Sequence, residues 1–457
     1  MAKARREDAR QEQEEVSGKL RAVAPEGTGA REEEIESEPN HLRRLLKFVG
    51  PGLITGASDD DPTGIGTYAT AGAAFGYSSL WTALVTFPMM ATIQYICAKV
   101  GLASGRGLAN VLRRRYSPWL TYPAILGLVI ANTINAGADI GAIAAGVNLI
   151  VPIPIAALIV PIGLVLLALQ IWCSYRVISN TFKWLALTLV AYVGAALLAH
   201  PDWGQVLRNT FLPTIRLDAS YMAMLVAILG TNISPYLFFW EASQEVEEKV
   251  VHGLTTPWKR RGTSNDELTY AAWDVNIGMF FSNLVIYFVN LSTAATLHAV
   301  GKTDVKSAAD AAQALRPIAG DAAELLFAVG FIGAGFLAVP VLTASAAYAA
   351  SETFNWRWGL NERPSVAKHF YGVIVIATLI GMMINFTGIN PIDALIYTSI
   401  LNGVLAPPLL VLVMLIANNE AVMGARVNNP WTNIGGWATT VGMFAAAVGL
   451  FLTWGRS

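Results

Sequence analysis

Asp59, Asp60 and Asp61 stand in succession in the middle of an otherwise apolar stretch, directly before a proline. A carboxylate costs roughly 3 kcal/mol at the centre of a bilayer, so three in a row need a counter-charge. A bound cation supplies it, because carboxylates and freed backbone carbonyls are the hard oxygen ligands that magnesium, calcium and manganese prefer. Successive side chains cannot all point the same way, so one or two of the three are expected to face the ion.

A second polar interruption lies in another apolar stretch, at residues 230–235. Thr231, Asn232 and Ser234 offer hydroxyl, amide and backbone oxygens there, with no sulfur or imidazole. Neutral ligands leave room for coordinated water, which suits magnesium because that ion dehydrates reluctantly. The alternative is that the hydroxyls satisfy backbone groups freed by the break, and both interpretations can hold together.

The three aspartates also have a second interpretation. They can lie at a helix end, solvated in an aqueous vestibule or capping the following half-helix at the positive end of its dipole. This alternative weighs least on Asp61, which immediately precedes Pro62. Both interruptions should split their helices, because proline removes a backbone donor and glycine unwinds at little cost.

The elements that position these residues are membrane spans. Of the 457 residues, 54% are hydrophobic and 14% are charged, whereas a soluble domain carries about 25% charged residues. Apolar runs of the length needed to cross a bilayer recur along the chain, which predicts an all-α integral membrane protein. The predicted spans cover approximately residues 47–73, 80–100, 120–150, 154–175, 182–200, 221–243, 273–298, 323–351, 370–386, 392–418 and 437–454.

The basic residues predict the orientation, since loops rich in Lys and Arg stay in the cytoplasm. Arg43, Arg44 and Lys47 precede the first span, and the runs 113–115 and 259–261 lie on the same side. Residues 1–42, rich in Glu and Arg, predict a disordered cytoplasmic tail ahead of a transporter domain at 43–457. The N-terminus is expected in the cytoplasm and the C-terminus outside, in a bacterial inner or plasma membrane.

The two breaks are five spans apart, in spans one and six. Because five is odd, the second unit would cross the membrane in the opposite sense, which predicts two inverted repeats with the substrate site at the paired broken helices. The repeats would cover about 43–201 and 217–418. The eleventh helix, about 433–455, would be an addition outside them.

Several classes of protein are excluded. A net charge of −1 with no clustered basic surface argues against a nucleic-acid partner. Cys97 and Cys173 are too few for a disulfide framework or a cysteine metal site, and the five histidines make no ligand spacing. No nucleophile-and-base pair or phosphate loop indicates an enzyme. The expected partners are a divalent metal ion and the bilayer, without a cofactor or an obligate protein partner.

The residues at the breaks resemble the NRAMP family of divalent metal transporters, and more closely its NRAMP-related magnesium transporter branch. Gly50-Pro51-Gly52 followed by Asp61-Pro62-Thr63-Gly64 is similar to the family's first helix, with GPG and then Asp-Pro-Gly-Asn. Residues 231–236 are similar to its Ala-x-x-Met-Pro-His. The resemblance implies a LeuT-type fold with two inverted repeats of five helices, an eleventh helix, and alternating access around a midplane site.

The departures from the family pattern concern the ion. Asp61 matches the metal-binding aspartate, but Gly64 replaces the asparagine, Ser234 replaces the metal-binding methionine, and Thr231 replaces the alanine. Without the thioether, selectivity for transition metals over magnesium is in doubt. The resulting set of candidate metal ligands is Asp61, Asp60, Thr231, Ser234, Gly64 and Asn232.

The resemblance also bears on proton coupling. The Asp-x-x-Glu pair of proton-coupled relatives matches Ala136 and Asp139, and the two histidines of the sixth helix match Tyr236 and Glu241. Asp139 remains open as a relay, a site wall or a partner of a basic residue. Uptake driven by the ion gradient and the membrane potential is the favoured interpretation. Candidate pathway residues are Asp59, Asp139, Tyr236, Glu241, Ser399 and Asn402.

Other polar residues carry less weight. Asn402 and Ser399 could line the pathway, although an asparagine between helices is more often a hydrogen-bond donor to a neighbouring helix. Asp274 and the acidic residues 245, 247 and 248 could attract cations to the inner mouth, but a solvated loop face is the favoured account.

The leading hypothesis is a transporter of magnesium and manganese without obligatory proton coupling. A proton-coupled importer of manganese or iron is the alternative within the same class. A sodium-driven amino-acid symporter of the same fold is a further alternative. The row of aspartates opposes that last one, because it would repel a substrate carboxylate.

Overall fold

The computed structural model describes residues 51–173, 184 and 187–453. All regular secondary structure in these residues is helical. The predicted tail, Gly50 and the basic residues before the first span lie outside them. The α-helices are α1 Pro51–Asp59, α2 Pro62–Phe75, α3 Trp81–Ser104, α4 Leu108–Arg115, α5 Pro118–Ile150, α6 Ile155–Trp172, α7 Ala191–Leu198, α8 Trp203–Phe211, α9 Ala219–Asn232, α10 Pro235–Val251, α11 Pro257–Arg260, α12 Asn265–Thr296, α13 Ala308–Ala312, α14 Arg316–Ala319, α15 Ala323–Phe354, α16 Lys368–Ile384, α17 Pro391–Ala417, α18 Glu420–Met423 and α19 Pro430–Thr453.

Nine helical segments of the described residues are long and apolar enough to cross a membrane. They correspond to nine of the predicted spans. The first predicted span is divided between the short helices α1 and α2, and the fifth lies partly outside the described residues. Among the described residues, the chain is therefore an all-helical membrane protein.

The first break lies between α1 and α2, as the sequence predicts. Helix α1 ends at Asp59, and Asp61 takes an extended conformation with φ −74° and ψ 165°. Pro62 opens α2 at a position where a backbone N–H would have no intrahelical acceptor, so its missing donor costs nothing. The side chain of Asp61 accepts a hydrogen bond from the Gly64 N–H at 2.6 Å and so caps α2.

The second break lies between α9 and α10 and is also confirmed. Helix α9 ends at Asn232, Ser234 is extended with φ −78° and ψ 129°, and Pro235 opens α10. The Ser234 hydroxyl donates to the backbone oxygens of Gly230 at 2.8 Å and Thr231 at 2.7 Å. This hydroxyl therefore satisfies carbonyls that the end of α9 leaves without helical partners.

Close glycine contacts hold the broken helices against their neighbours. A Cβ atom on Gly56 of α1 would lie 2.3 Å from the backbone carbon of Gly278 on α12. One on Gly230 of α9 would lie 2.1 Å from the backbone oxygen of Ser399 on α17. Neither position accepts a side chain, so both half-helices approach unbroken partners backbone to backbone, as small residues allow in membrane proteins.

The surface of the bundle suits a bilayer. Large apolar side chains are exposed on the outer faces of the long helices, and Trp119, Trp172 and Trp431 are 90%, 80% and 82% exposed. These tryptophans stand near helix ends, at the start of α5, the end of α6 and the start of α19. Exposed tryptophans near the ends of membrane helices are typical of the interface between hydrocarbon and water.

Candidate metal site

Asp61 is the carboxylate at the centre of the first break. It is 2% exposed, and its Oδ1 accepts the Gly64 N–H that caps α2. Its Oδ2 lies 3.5 Å from the hydroxyl of Tyr236 on α10, and that hydroxyl donates to the backbone oxygen of Ser58 at 3.1 Å. The carboxylate therefore joins both broken helices and keeps lone pairs for another ligand.

Oxygens from both breaks converge beside Gly64. A Cβ atom at Gly64 would lie 3.3 Å from Oγ1 of Thr231, 3.4 Å from the backbone oxygen of Asp59 and 3.4 Å from Oδ1 of Asp61. Because glycine lacks that atom, three hard oxygens surround one small space. The predicted meeting of Asp61 and Thr231 is thus what the geometry shows, and Gly64 contributes room.

The other two polar residues of the second break make structural contacts. The Ser234 hydroxyl donates to carbonyls of its own segment, which agrees with the interpretation that it satisfies the freed backbone. The Asn232 amide donates to Tyr68 on α2 and to Thr86 on α3, at 2.8 Å each. These contacts leave the Ser234 and Asn232 oxygens with acceptor capacity, since both atoms carry lone pairs.

Asp59 and Asp60 contact α12. The hydroxyl of Ser282 lies 2.7 Å from Oδ2 of Asp59 and 3.0 Å from Oδ1 of Asp60. Asp59 is 3% exposed, whereas Asp60 is partly exposed. The vestibule interpretation therefore fails for the Asp59 side chain, which is buried in the bundle.

Asp139 lies next to the first break through Thr63. The Thr63 hydroxyl lies 2.7 Å from Oδ1 of Asp139 and 2.7 Å from Oδ1 of Asn135, both on α5. Asp139 is fully buried and near enough to Asp61 for their charges to interact. Its Oδ2 has no hydrogen-bond partner among the described residues. The predicted acid of the third span therefore lies beside the first break, and its role there stays a prediction.

The two positions that match the family's histidines lie along α10. Tyr236 reaches the first break, as described above. Glu241 is fully buried and accepts a hydrogen bond from Thr55 of α1. Both residues therefore connect α10 to the half-helix α1, Tyr236 at Ser58 and Glu241 at Thr55.

Ser399 and Asn402 of α17 differ in their surroundings. The Ser399 hydroxyl lies 2.8 Å from that of Thr67 on α2, so it borders the first broken helix. Asn402 is buried, and its Nδ2 has no hydrogen-bond partner among the described residues. The expectation that this amide donates to a neighbouring helix is therefore wrong.

The acidic residues expected on a solvated loop face are instead packed. Glu247 is buried in α10 and accepts hydrogen bonds from Tyr348 and from the Asn361 backbone, the latter at 2.8 Å. Asp274 accepts from the Gly52 N–H at 2.8 Å and so caps the start of α1. The sequence around these acids gave no sign of their distant partners.

The acidic side chains at the first break form no ion pair within the described residues. Within the described residues, the ion pairs join Lys249 to Glu267, Lys302 to Asp310 and Lys306 to Asp304, and none includes Asp59, Asp60, Asp61 or Asp139. That part of the chain also holds no group of three or more His, Cys, Asp or Glu arranged around a metal ion. A cation bound here would therefore combine carboxylate with neutral oxygen ligands.

Sequence reasoning missed three residues that approach the breaks from unbroken helices, Asn135 on α5, Ser282 on α12 and Thr86 on α3. It also missed Tyr68 of the half-helix α2, which bonds to Asn232 at the second break. Each is a polar residue in an apolar span, which was the available signal. Their register against the breaks depends on helix packing, which the sequence pattern does not specify.

A family model described as natural resistance-associated macrophage protein-like, Nramp, matches residues 52–453. The divalent metal cation transporter MntH of Agrobacterium fabrum is 26% identical over 431 residues, which cover 92% of this chain and 89% of that protein. MntH of Deinococcus radiodurans is 27% identical over 428 residues, covering 91% of each.

Solved structures show the same fold. An Eremococcus coleocola manganese transporter is similar with a TM-score of 0.70 and 19% identity, over 91% of this chain and 88% of that one. MhsT, solved with L-phenylalanine, has a TM-score of 0.53 and 14% identity, over 88% and 97%. At these identities the likeness extends to the fold alone.

The space beside Gly64 generates a test. Gly64→Ala would place a methyl group among the three oxygens, so a bound ion should lose at least one ligand. One lost charge-assisted contact is worth about 1.5–3 kcal/mol, which weakens binding of manganese about 10- to 100-fold. The measurement is equilibrium binding of manganese to purified protein.

The thermal midpoint of the same sample controls for folding, because alanine favours the helix over glycine. Unchanged manganese affinity in a folded Gly64→Ala variant would show that the ion lies elsewhere.

Proposed function

The chain belongs to the Nramp family, and from that premise we propose that it carries manganese and magnesium across a membrane by alternating access around Asp61. At the coarser level it is an integral membrane transporter of divalent metal cations and not an enzyme. The observation that carries the proposal is the convergence of Asp61, Thr231 and the Asp59 carbonyl beside Gly64. Membership of this family also sets aside the amino-acid symporter.

The proposed ligands follow from that geometry. The Asp61 carboxylate, the Thr231 hydroxyl and the Asp59 carbonyl bind the ion directly, and water completes its shell. Ser234 and Asn232 offer further oxygens at the second break, and Asp60 supplies negative charge nearby. Hard oxygens at several positions fit magnesium and manganese, which share a preference for carboxylate, carbonyl and water.

Two observations bear on which ion is favoured, and they point to different ions. The solved relative named a manganese transporter favours manganese, and none of the similar proteins described above is named for magnesium. Ser234, in place of the family's methionine, favours acceptance of magnesium, because no thioether selects a softer ion. We therefore propose manganese as a cargo and magnesium as a competing one, as in the magnesium-transporting branch.

The proposed movement uses inverted repeats. The half-helix pairs α1/α2 and α9/α10 each meet at a proline and bring oxygens to one point. Two opposed broken helices around a central site are the arrangement in which one bundle rocks against the other. Repeats at about 43–201 and 217–418, with α19 outside them, would give this symmetry.

Two modes of energy supply remain as candidates. Tyr236 and Glu241 in place of histidines support uptake without obligatory proton coupling. Asp139 supports the alternative, a proton-coupled importer of manganese or iron, since its buried carboxylate interacts with Asp61 and reaches it through Thr63. The similarity to a manganese transporter agrees with the cargo of this alternative.

Asp61→Ala tests the site itself. The change removes the carboxylate whose Oδ1 lies beside Gly64, so uptake of manganese into liposomes should fall to background, and magnesium should no longer slow it. In the wild type, added magnesium should inhibit manganese uptake competitively. Asp393→Ala, at an exposed acid near the start of α17, is the matched control and should transport normally. Wild-type rates in Asp61→Ala would refute the proposal.

Ser234→Met tests the origin of selectivity. A thioether at this position should raise the affinity for zinc relative to magnesium by about tenfold, because sulfur prefers the softer ion. Ser234→Ala is the control, since it removes the same hydroxyl without adding sulfur. Binding of both ions is measured by calorimetric titration. An equal ratio in the two variants would mean that residue 234 does not face the ion.

Proton coupling is tested in liposomes that report internal pH. With an imposed negative-inside potential, manganese should enter the wild type without acidifying the interior, and Asp139→Asn should keep the same ratio of protons to metal. Acidification that follows metal entry, and disappears in Asp139→Asn, would select the proton-coupled alternative.

A further inference from the structure

Two carboxylates share one hydroxyl on the α12 side of the first break. Ser282 Oγ lies 2.7 Å from Oδ2 of Asp59 and 3.0 Å from Oδ1 of Asp60. A hydroxyl carries a single proton, so it can donate fully to one of these oxygens only. The other oxygen is left beside a second carboxylate with no donor of its own.

Burial makes this arrangement costly. Asp59 is 3% exposed, and its Oδ1 has no hydrogen-bond partner in the described part of the chain. Ser282 is 1% exposed. An ionised carboxylate at this depth needs compensation by several kcal/mol. None of the ion pairs of the described residues supplies it.

The pair is separate from the oxygens beside Gly64. Asp61 directs Oδ1 to the Gly64 N–H of α2 and Oδ2 towards Tyr236 of α10. Asp59 and Asp60 each direct one carboxylate oxygen to Ser282 on α12. Asp59 serves both places, because its backbone oxygen lies beside Gly64 while its carboxylate lies beside Ser282.

Asp61 interacts electrostatically with both carboxylates of the pair, and uncharged polar side chains lie nearby. The Tyr68 side chain is close enough to Asp59 for an electrostatic interaction, and it accepts a hydrogen bond from Asn232 at 2.8 Å. Asn232 also reaches Thr86, which bonds to Asn283, the neighbour of Ser282, at 3.2 Å. A chain of polar side chains thus runs from Tyr68, beside Asp59, to Asn283, beside Ser282, and Asp60 itself is partly exposed.

We propose that Asp59, Asp60 and Ser282 form a second site for a hard divalent cation, next to the one at Asp61. Two carboxylate groups and a hydroxyl bind the ion, and coordinated water fills the remaining positions, as magnesium and manganese prefer. The inference rests on the proposed function, because it takes the same class of cargo. It adds a second binding site that holds an ion beside the transport site.

The test counts manganese ions bound per protein by equilibrium dialysis. The wild type should bind two. Asp61→Ala should bind one, held at Asp59 and Asp60. The double variant Asp59→Asn with Ser282→Ala should also bind one, held at Asp61. Ser292→Ala is the matched control and should bind two, because Ser292 is a buried serine of the same helix whose hydroxyl donates to the Ala314 backbone.

The outcomes separate this inference from the proposed function. One ion in the wild type, lost in Asp61→Ala and kept in the double variant, overturns the second site and leaves the first intact. One ion lost in the double variant and kept in Asp61→Ala overturns the proposed transport site instead. Thermal midpoints exclude unfolding, and Asp60→Asn, at a partly exposed position, repeats the test where the double variant does not fold.

Discussion

The structure depends on buried carboxyl groups that form no ion pair with a basic side chain of the described residues. Asp59, Asp61 and Asp139 are almost completely buried in a bundle whose described ion pairs all lie elsewhere. In a low-dielectric interior this charge raises the free energy of the empty protein unless something positive enters. Under the proposed function, the same charge that destabilises the empty site would provide its affinity for a cation.

The broken helices make that charge tolerable. In an intact helix, the backbone N–H groups would donate to carbonyls of the same helix, so none would be left to donate to Asp61. Here the carboxylate caps α2, and so it is stabilised by a backbone N–H and by the positive end of a helix dipole. The contact of Gly230 with α17 positions the second break. Thr231 then reaches Gly64 without a side chain in between.

The sequence predicts the local structure of each helix better than it predicts the contacts between helices. Proline and a preceding polar residue predicted both breaks, because these are local effects. It also suggested that Asp61 and Thr231 meet, because the two broken spans are five apart and five is odd. The contacts of Ser282 with Asp59 and of Glu247 with Tyr348 join residues far apart in the chain. Periodicity gives the face of a helix but not its register against another, so those contacts were not predictable.

The same fold that holds the charge also decides what can drive transport. Each elementary charge that crosses a potential of 100 mV gains about 2.3 kcal/mol, so a divalent cation gains about 4.6 kcal/mol. At 1.4 kcal/mol per factor of ten, that supports a concentration ratio of about three decades. Under the proposed function, a partly hydrated ion would carry this full charge across the membrane. Proton coupling would add to that driving force, and it would require Asp139, which lies 2.7 Å from the Thr63 hydroxyl, to exchange a proton.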